Sequence, residues 1–359
     1  MGESLLDKLK SLPEEERHSW LDSFLVTSHR RENMLQHIHM ELTPCCTLSC
    51  KMCFVHSHKD TGIDLTKQLK TKEWCSLIDQ AANMGVSGLT FTGGEAMMRE
   101  DYLQIYRHAY EQGFKIFIIS NGTLIDEVMV RFLQECPPER INLTLYGFSE
   151  KTYEENCGNG KAFLRVLHAI ELIEKANLPL EIQTTITRDM FEDFPQIFDF
   201  AKEHHHKFKF DYILHPSDIC DLDKIMQLSV SDEAMDRMCQ RVYGVSLFEN
   251  VDASAIKPPE KTVKTGMLCG AGRNVCQIDW QGQMQLCTVC SFVSLRPLER
   301  GLERCWKDLT EYAKTIPQIE ECQMCEYRFS CKQCVGLHYA DMHEFGRISP
   351  RLCRKRKQM

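Results

Sequence analysis

The chain has 359 residues, 43% hydrophobic and 26% charged, with a formal net charge of −8. At roughly 100–200 residues per domain there is room for about two cored domains, and the acidic balance argues against nucleic acid, because phosphate binding wants a basic face. With no apolar run near the roughly 20 residues that span a bilayer and no secretory signal, a cytoplasmic protein without a membrane partner is expected, in which 19 cysteines point to metal or catalysis before disulfides.

Residues 1–36 read as an N-terminal helical segment, with Leu5, Leu6, Leu9, Trp20, Leu21 and Phe24 on the apolar side. Residues 37–42 alternate as a short strand, and a strand–helix rhythm follows. Strands are expected at 87–92, 115–120, 140–145, 180–186 and 207–214, with helices at 99–112, 126–135, 161–176 and 193–204. The run His204-His205-His206 falls at a helix end, where a solvated cap is expected. Strands alternating with helices imply parallel β/α units, and six of them fall short of the eight that close a barrel. The expected fold is therefore α/β, a partial (β/α)6 TIM-type barrel over residues 37–235. The rhythm fades beyond it. Residues 236–256 read as a connecting segment and 257–359 as a small loop-rich domain holding ten of the nineteen cysteines. Such a segment needs metal in place of an apolar core. The basic run at 354–357 reads as a solvated tail.

Cys46, Cys50 and Cys53 follow the first strand in the spacing C-x-x-x-C-x-x-C. Three thiolates on one tight loop can hold three corners of a [4Fe–4S] cube and leave the fourth iron open for a ligand. Zinc with Cys45 or His56 as fourth ligand satisfies the same spacing.

This loop, and Gly93-Gly94-Glu95 at the end of the next strand, resemble the radical SAM superfamily over residues 37 to about 215. The resemblance implies that the open iron chelates S-adenosylmethionine (SAM) and that the Gly-Gly-Glu motif holds its methionine amino group. Glycines permit close backbone approach, and a carboxylate accepts from an ammonium. By the same resemblance Met52 contacts adenine, Ser120 and Asn121 bind ribose, and Thr144 reaches SAM from a further strand end. Chemistry in β/α sheets sits at such C-terminal strand ends.

In the last third, Cys269, Cys287, Cys322, Cys325, Cys331, Cys334 and Cys353 are spaced in a way that resembles the SPASM extension of peptide-modifying radical SAM enzymes. That implies an auxiliary cluster on Cys269, Cys287 and Cys334 and a second on Cys322, Cys325, Cys331 and Cys353. Cys276 and Cys290 are candidates for the missing fourth ligand of the former. The family has three residues between the fifth and sixth cysteines, whereas two separate Cys331 from Cys334. A zinc ribbon on Cys322, Cys325, Cys331 and Cys334 is the alternative.

The implied cofactors are three [4Fe–4S] clusters and SAM. One electron from a donor such as flavodoxin or ferredoxin cleaves SAM, and the 5′-deoxyadenosyl radical abstracts a hydrogen atom. The expected substrate is a peptide or protein side chain, to be crosslinked, epimerised or oxidised. With about 36 residues ahead of the core, a separate leader-binding protein is an expected partner. Cys157, beyond the strand at 140–145, and Cys220, beyond the strand at 207–214, are candidate hydrogen donors, and burial without function is the alternative for each. The competing functions are oxidation or epimerisation of a small molecule, such as a cofactor precursor or sugar, and non-catalytic electron transfer.

Overall fold

Short runs of β-branched and apolar residues make the strands, and amphipathic segments between them make the helices. The structure, a computed structural model, describes residues 34–55, 62–216, 221–246, 265–325, 327, 331 and 333–353. Residues 1–33, His56, Cys220, the later part of the connecting segment and the C-terminal basic run lie outside these. No helix among the described residues is long and apolar enough to cross a membrane.

The chain divides into two compact units, one of residues 35–230 and 276–307, the other of the described residues among 1–34, 231–275 and 308–359. The first unit begins with β1 (His37–Glu41), α1 (Thr71–Asn83), β2 (Gly88–Thr92), α2 (Tyr102–Glu111), β3 (Lys115–Ser120), α3 (Glu127–Glu135) and β4 (Arg140–Thr144). It continues with α4 (Glu150–Cys157), α5 (Ala162–Lys175), β5 (Leu180–Thr185), α6 (Phe194–Glu203), β6 (Lys207–Asp211) and α7 (Leu222–Leu228). β1 to β6 pair in parallel, each with its sequence neighbour. This is the expected partial TIM-type barrel. The sheet also extends past β1, through β7 (Val275–Ile278) and β8 (Met284–Gln285), which are antiparallel to each other. The reading of the sequence did not anticipate that hairpin in the sheet.

Helices α1, α4 and α7 were also not anticipated. In α1, Trp74, Leu77, Ile78 and Ala81 form one buried stripe. In α4, the Ser149 hydroxyl accepts from the Thr152 N–H at the start, and Gly158 ends the helix at φ +65°.

In the second unit, α8 (Asp232–Tyr243) is capped by Ser231 and stopped by Gly244 at φ +69°. The segment expected as a connector from residue 236 therefore begins inside a helix. Further along the chain, α9 (Pro297–Arg300) and the start of α10 (Leu302–Thr315) belong to the first unit, and the rest of α10, α11 (Glu320–Gln323) and α12 (Val335–Met342) to the second.

Candidate active site

The cysteine loop starts where β1 ends, and main-chain bonds hold it. Leu42 N–H extends the β1–β2 pairing to Thr92 O at 2.9 Å. Gly94 N–H then donates to Thr43 O, and Glu95 N–H to Cys45 O, each at 2.7 Å. Gly93 sits at φ +142°. A Cβ there would collide with the Thr43 carbonyl oxygen, and one on Gly94 with the Cys45 carbonyl oxygen. The two glycines thus let the end of β2 lie directly on residues 43–45. On the other side, Ser49 N–H donates to Cys157 O at 2.9 Å and Lys51 N–H to Asn156 O at 3.0 Å, tying the loop to the end of α4.

Side chains from β3 complete the loop's support. Asn121 Nδ2 donates to Cys46 Sγ at 3.4 Å and to Thr47 Oγ1 at 3.1 Å. Thr47 and Thr123 hydroxyls meet at 2.6 Å. Glu95 is 1% exposed. Its Oε2 accepts from Ser120 Oγ and Asn121 N–H, both at 2.9 Å, and its Oε1 from Met97 N–H at 3.3 Å. Burial raises its pKa, against those hydrogen bonds. The expected SAM residues Gly93, Gly94, Glu95, Ser120 and Asn121 therefore form one connected patch beside Cys46.

The sulfurs of the loop are buried and feel one another. Burial pushes the Cys46 and Cys53 thiols up to about 12, with the charge of Cys50 adding to both. Cys50 is pushed well above its ordinary value by a hydrogen bond with Cys157 and by burial. Thiols in such a place ionise only when a cation takes the proton's position, and that suits a metal cluster.

The other expected residues lie around this centre. Met52 is buried with Leu214, Ile225 and Leu228, and Cys50 and Tyr146 pack on the same cluster. Thr144 Oγ1 accepts from Gln183 Nε2 at 2.9 Å. Cys157 is fully buried in contact with Cys50. Cys220 lies outside the described residues.

One feature near the loop went unread in the sequence. Glu41, at the end of β1, is buried, and its carboxyl is pushed up to about 8 by burial and by the charge of Asp279 after β7. Its charge also reaches Cys53. An acidic residue in a buried strand was the available signal.

In the second unit, Cys322 is pushed up to about 12 by burial, then by the charges of Cys331, Cys353 and Cys325. Three of the expected auxiliary cysteines thus lie within electrostatic reach of Cys322. Cys325 N–H donates to Cys322 O at 3.4 Å, and Cys331 Sγ to Leu352 O at 3.5 Å. A buried network fixes the segment before Cys353. Arg351 Nε and Nη2 grip Asp341 at 3.0 Å each, and Ser349 N–H donates to His338 Nδ1 at 3.0 Å. Cys269 is exposed, and Cys334 stands at the N-terminus of α12. Cys287 and Cys276 belong to the first unit. A hydrogen bond from Cys290 lowers the Cys287 thiol to about 7, while burial raises the Cys276 thiol.

Residues 40–201 match the sequence profile of the radical SAM superfamily. The chain is 25% identical over 324 residues to an AdoMet-dependent heme synthase of Methanosarcina barkeri, covering 84% of this chain and 91% of that one. It is 32% identical over 165 residues to a PqqA peptide cyclase of Granulibacter bethesdensis, covering 45% of this chain and 42% of that one. The latter match thus spans less than half of that relative. A solved structure of native anSMEcpe with bound AdoMet and the Cp18Cys peptide has a TM-score of 0.66 at 17% identity, over 90% of this chain and 95% of that one. At this identity the likeness is one of fold.

Proposed function

We propose, from the premise that the chain is a member of the radical SAM superfamily, that it modifies a polypeptide side chain by abstracting a hydrogen atom. When bound, a [4Fe–4S] cluster and SAM together supply that chemistry. Cys46, Cys50 and Cys53 hold the cluster. Gly93, Gly94, Glu95, Ser120, Asn121, Thr144 and Met52 form the SAM side of the site. The protein's own part is placement. Main-chain clasps on both sides of the loop fix the sulfurs, and the apolar wall of Met52, Leu214, Ile225 and Leu228 excludes water from one flank.

The observation that carries the peptide reading is the second cysteine set. Cys322, Cys325, Cys331 and Cys353 are spaced as in the SPASM extension of peptide-modifying enzymes, and the last three lie within electrostatic reach of Cys322. They hold an auxiliary cluster, one of three [4Fe–4S] clusters in the loaded protein. The PqqA peptide cyclase relative and the peptide-bound fold neighbour support the same reading. The enzyme works in the cytoplasm and takes its electron from flavodoxin or ferredoxin. One observation favours a second reading, a tetrapyrrole-type cofactor precursor as substrate. The heme synthase match runs over 84% of this chain, far more than the peptide cyclase match.

One experiment separates the two. Reconstituted enzyme is given candidate peptides deuterated at single residues, and a porphyrin precursor deuterated on its side chains. Deuterium in 5′-deoxyadenosine from a peptide supports the proposal. Transfer from the porphyrin alone replaces it with the second reading.

A further inference from the structure

We propose that Glu174, His204 and His206 form a binding site for a divalent first-row transition ion, with zinc the best match. Glu174 stands in the last turn of α5. Its Oε1 lies 2.7 Å from His204 Nδ1 and 2.7 Å from His206 Nε2. The three donor atoms all fall within 4.8 Å of one another. One carboxylate oxygen thus gathers two imidazole nitrogens. On metal binding each neutral imidazole carries its proton on the other ring nitrogen, and the ion takes the lone pairs of these two nitrogens together with the carboxylate oxygen. With bonds of about 2.0–2.2 Å, tetrahedral zinc sets its ligand atoms about 3.4 Å apart. The nitrogen–oxygen distances then open by roughly 0.7 Å, which rotation of the Glu174 side chain provides. Two imidazoles and a carboxylate are a donor set that suits zinc, with a fourth position left to water.

The backbone is shaped to bring these side chains together. His204 caps α6, and His205 takes φ +59°, a left-handed position usually given to glycine. That turn lets His205 N–H donate to Lys202 O at 3.1 Å and His206 N–H to Ala201 O at 2.8 Å. It also turns His206 to the same side as His204. Their rings stack at 17° with centroids 6.1 Å apart, and Phe200 packs on His204 at 4.3 Å. Asn177, just beyond α5, is likewise left-handed at φ +53°. The negative ends of two helices therefore meet at this point, and both favour a cation. The His206 side chain is 11% exposed, Glu174 29% and His204 38%, so the site is half-buried but open to water on one side.

The site lies at the opposite end of the strands from the cysteine loop, because it precedes the start of β6 while the loop follows the end of β1. The ion therefore does not enter the radical chemistry. It joins the ends of α5 and α6 to the start of β6 and stabilises that side of the barrel.

The test uses full-length enzyme with its iron reconstituted. Zinc is titrated by equilibrium dialysis, and zinc and iron are counted in the same samples. Wild type should retain one more zinc per chain than Glu174→Gln or a His204→Ala/His206→Ala variant of equal iron content. Zinc should raise the melting temperature of wild type by several degrees and leave both variants unmoved. Equal zinc uptake and equal melting shifts in all three proteins would place the zinc on thiols and overturn the proposal. If the double variant loses iron through misfolding, Glu174→Gln decides alone, since it keeps the shape of the side chain. Reductive SAM cleavage by Glu174→Gln should match wild type.

Discussion

Replacing Gly94 by alanine tests the clasp between the end of β2 and the cysteine loop. The new Cβ would stand 2.7 Å from the Cys45 carbonyl carbon and from the Pro44 oxygen, where ordinary contact begins at 3.4 Å. The Cys45 carbonyl oxygen is nearer still, so the two backbones must part by about 1 Å, which stretches the two 2.7 Å bonds past the useful range. Losing both bonds costs about 0.5–1.5 kcal/mol each, and the forced packing about 1–3 kcal/mol more. The sum is about 2–6 kcal/mol, or roughly 10 °C in melting temperature for a unit of this size. Gly85 is the control, at φ +74° with no atom within 4 Å of an added Cβ. Its alanine variant carries only left-handed strain, about 1–2 kcal/mol. The assay is thermal unfolding beside iron content and 5′-deoxyadenosine yield after anaerobic reconstitution. Gly94→Ala should lose stability, iron and cleavage together, whereas Gly85→Ala keeps iron and cleavage. A Gly94→Ala protein that melts and cleaves SAM like wild type would refute the clasp.

Glu41 gives a pH signature. Its folded pKa of about 8 lies above the ordinary 4.5, so the native state keeps a proton that the unfolded chain releases. Its contribution to stability is greatest below the ordinary value, falls as pH rises towards 8, and is flat beyond. Glu41→Gln should remove that slope in urea melts and gain a few kcal/mol over wild type at about pH 8. An unchanged slope would show that Glu41 is not the source. Cys157→Ala should keep the iron of the first cluster but shift its reduction potential negative. Once Cys50 is a metal-bound thiolate, only Cys157 has a proton to donate between these two sulfurs, and such hydrogen bonds stabilise the reduced form. A redox titration followed by electron paramagnetic resonance reads the shift, and an unmoved potential would count against the contact.

The parallel strands were legible because each is a short apolar run followed by helical spacing, as in residues 115–135. The cysteine loop was read from its spacing together with the Gly-Gly-Glu at the end of the next strand. Less was visible where partners are distant in sequence. The reading assigned Gly93 and Gly94 to approach by a ligand, whereas the structure shows them accommodating residues 43–45. Nothing local to position 94 names that partner. The helix α1 was readable from Trp74, Leu77, Ile78 and Ala81 and was passed over. The helix α4 carries a weaker signal, since its buried face includes Thr152 and Asn156 beside Tyr153 and Cys157. The three histidines were read as a solvated cap. Their use depends on Glu174, which only the packing of α5 against the end of α6 brings within reach. The like-charge effect of Asp279 on Glu41 depends in the same way on where β7 joins the sheet.

The clasp around the cysteine loop is written almost wholly in amides and carbonyls. Of the four bonds made by Gly94, Glu95, Ser49 and Lys51, none uses a side chain. Such contacts survive nearly any substitution except one that adds bulk at Gly93 or Gly94 or removes an N–H through proline. Sequence drift in the residues between the cysteines is therefore inexpensive, while the path of the chain is held. A fold of this kind can persist at 17% identity over 90% of the chain, because a hydrogen-bonded main-chain path with two absent side chains asks little of the side chains along it.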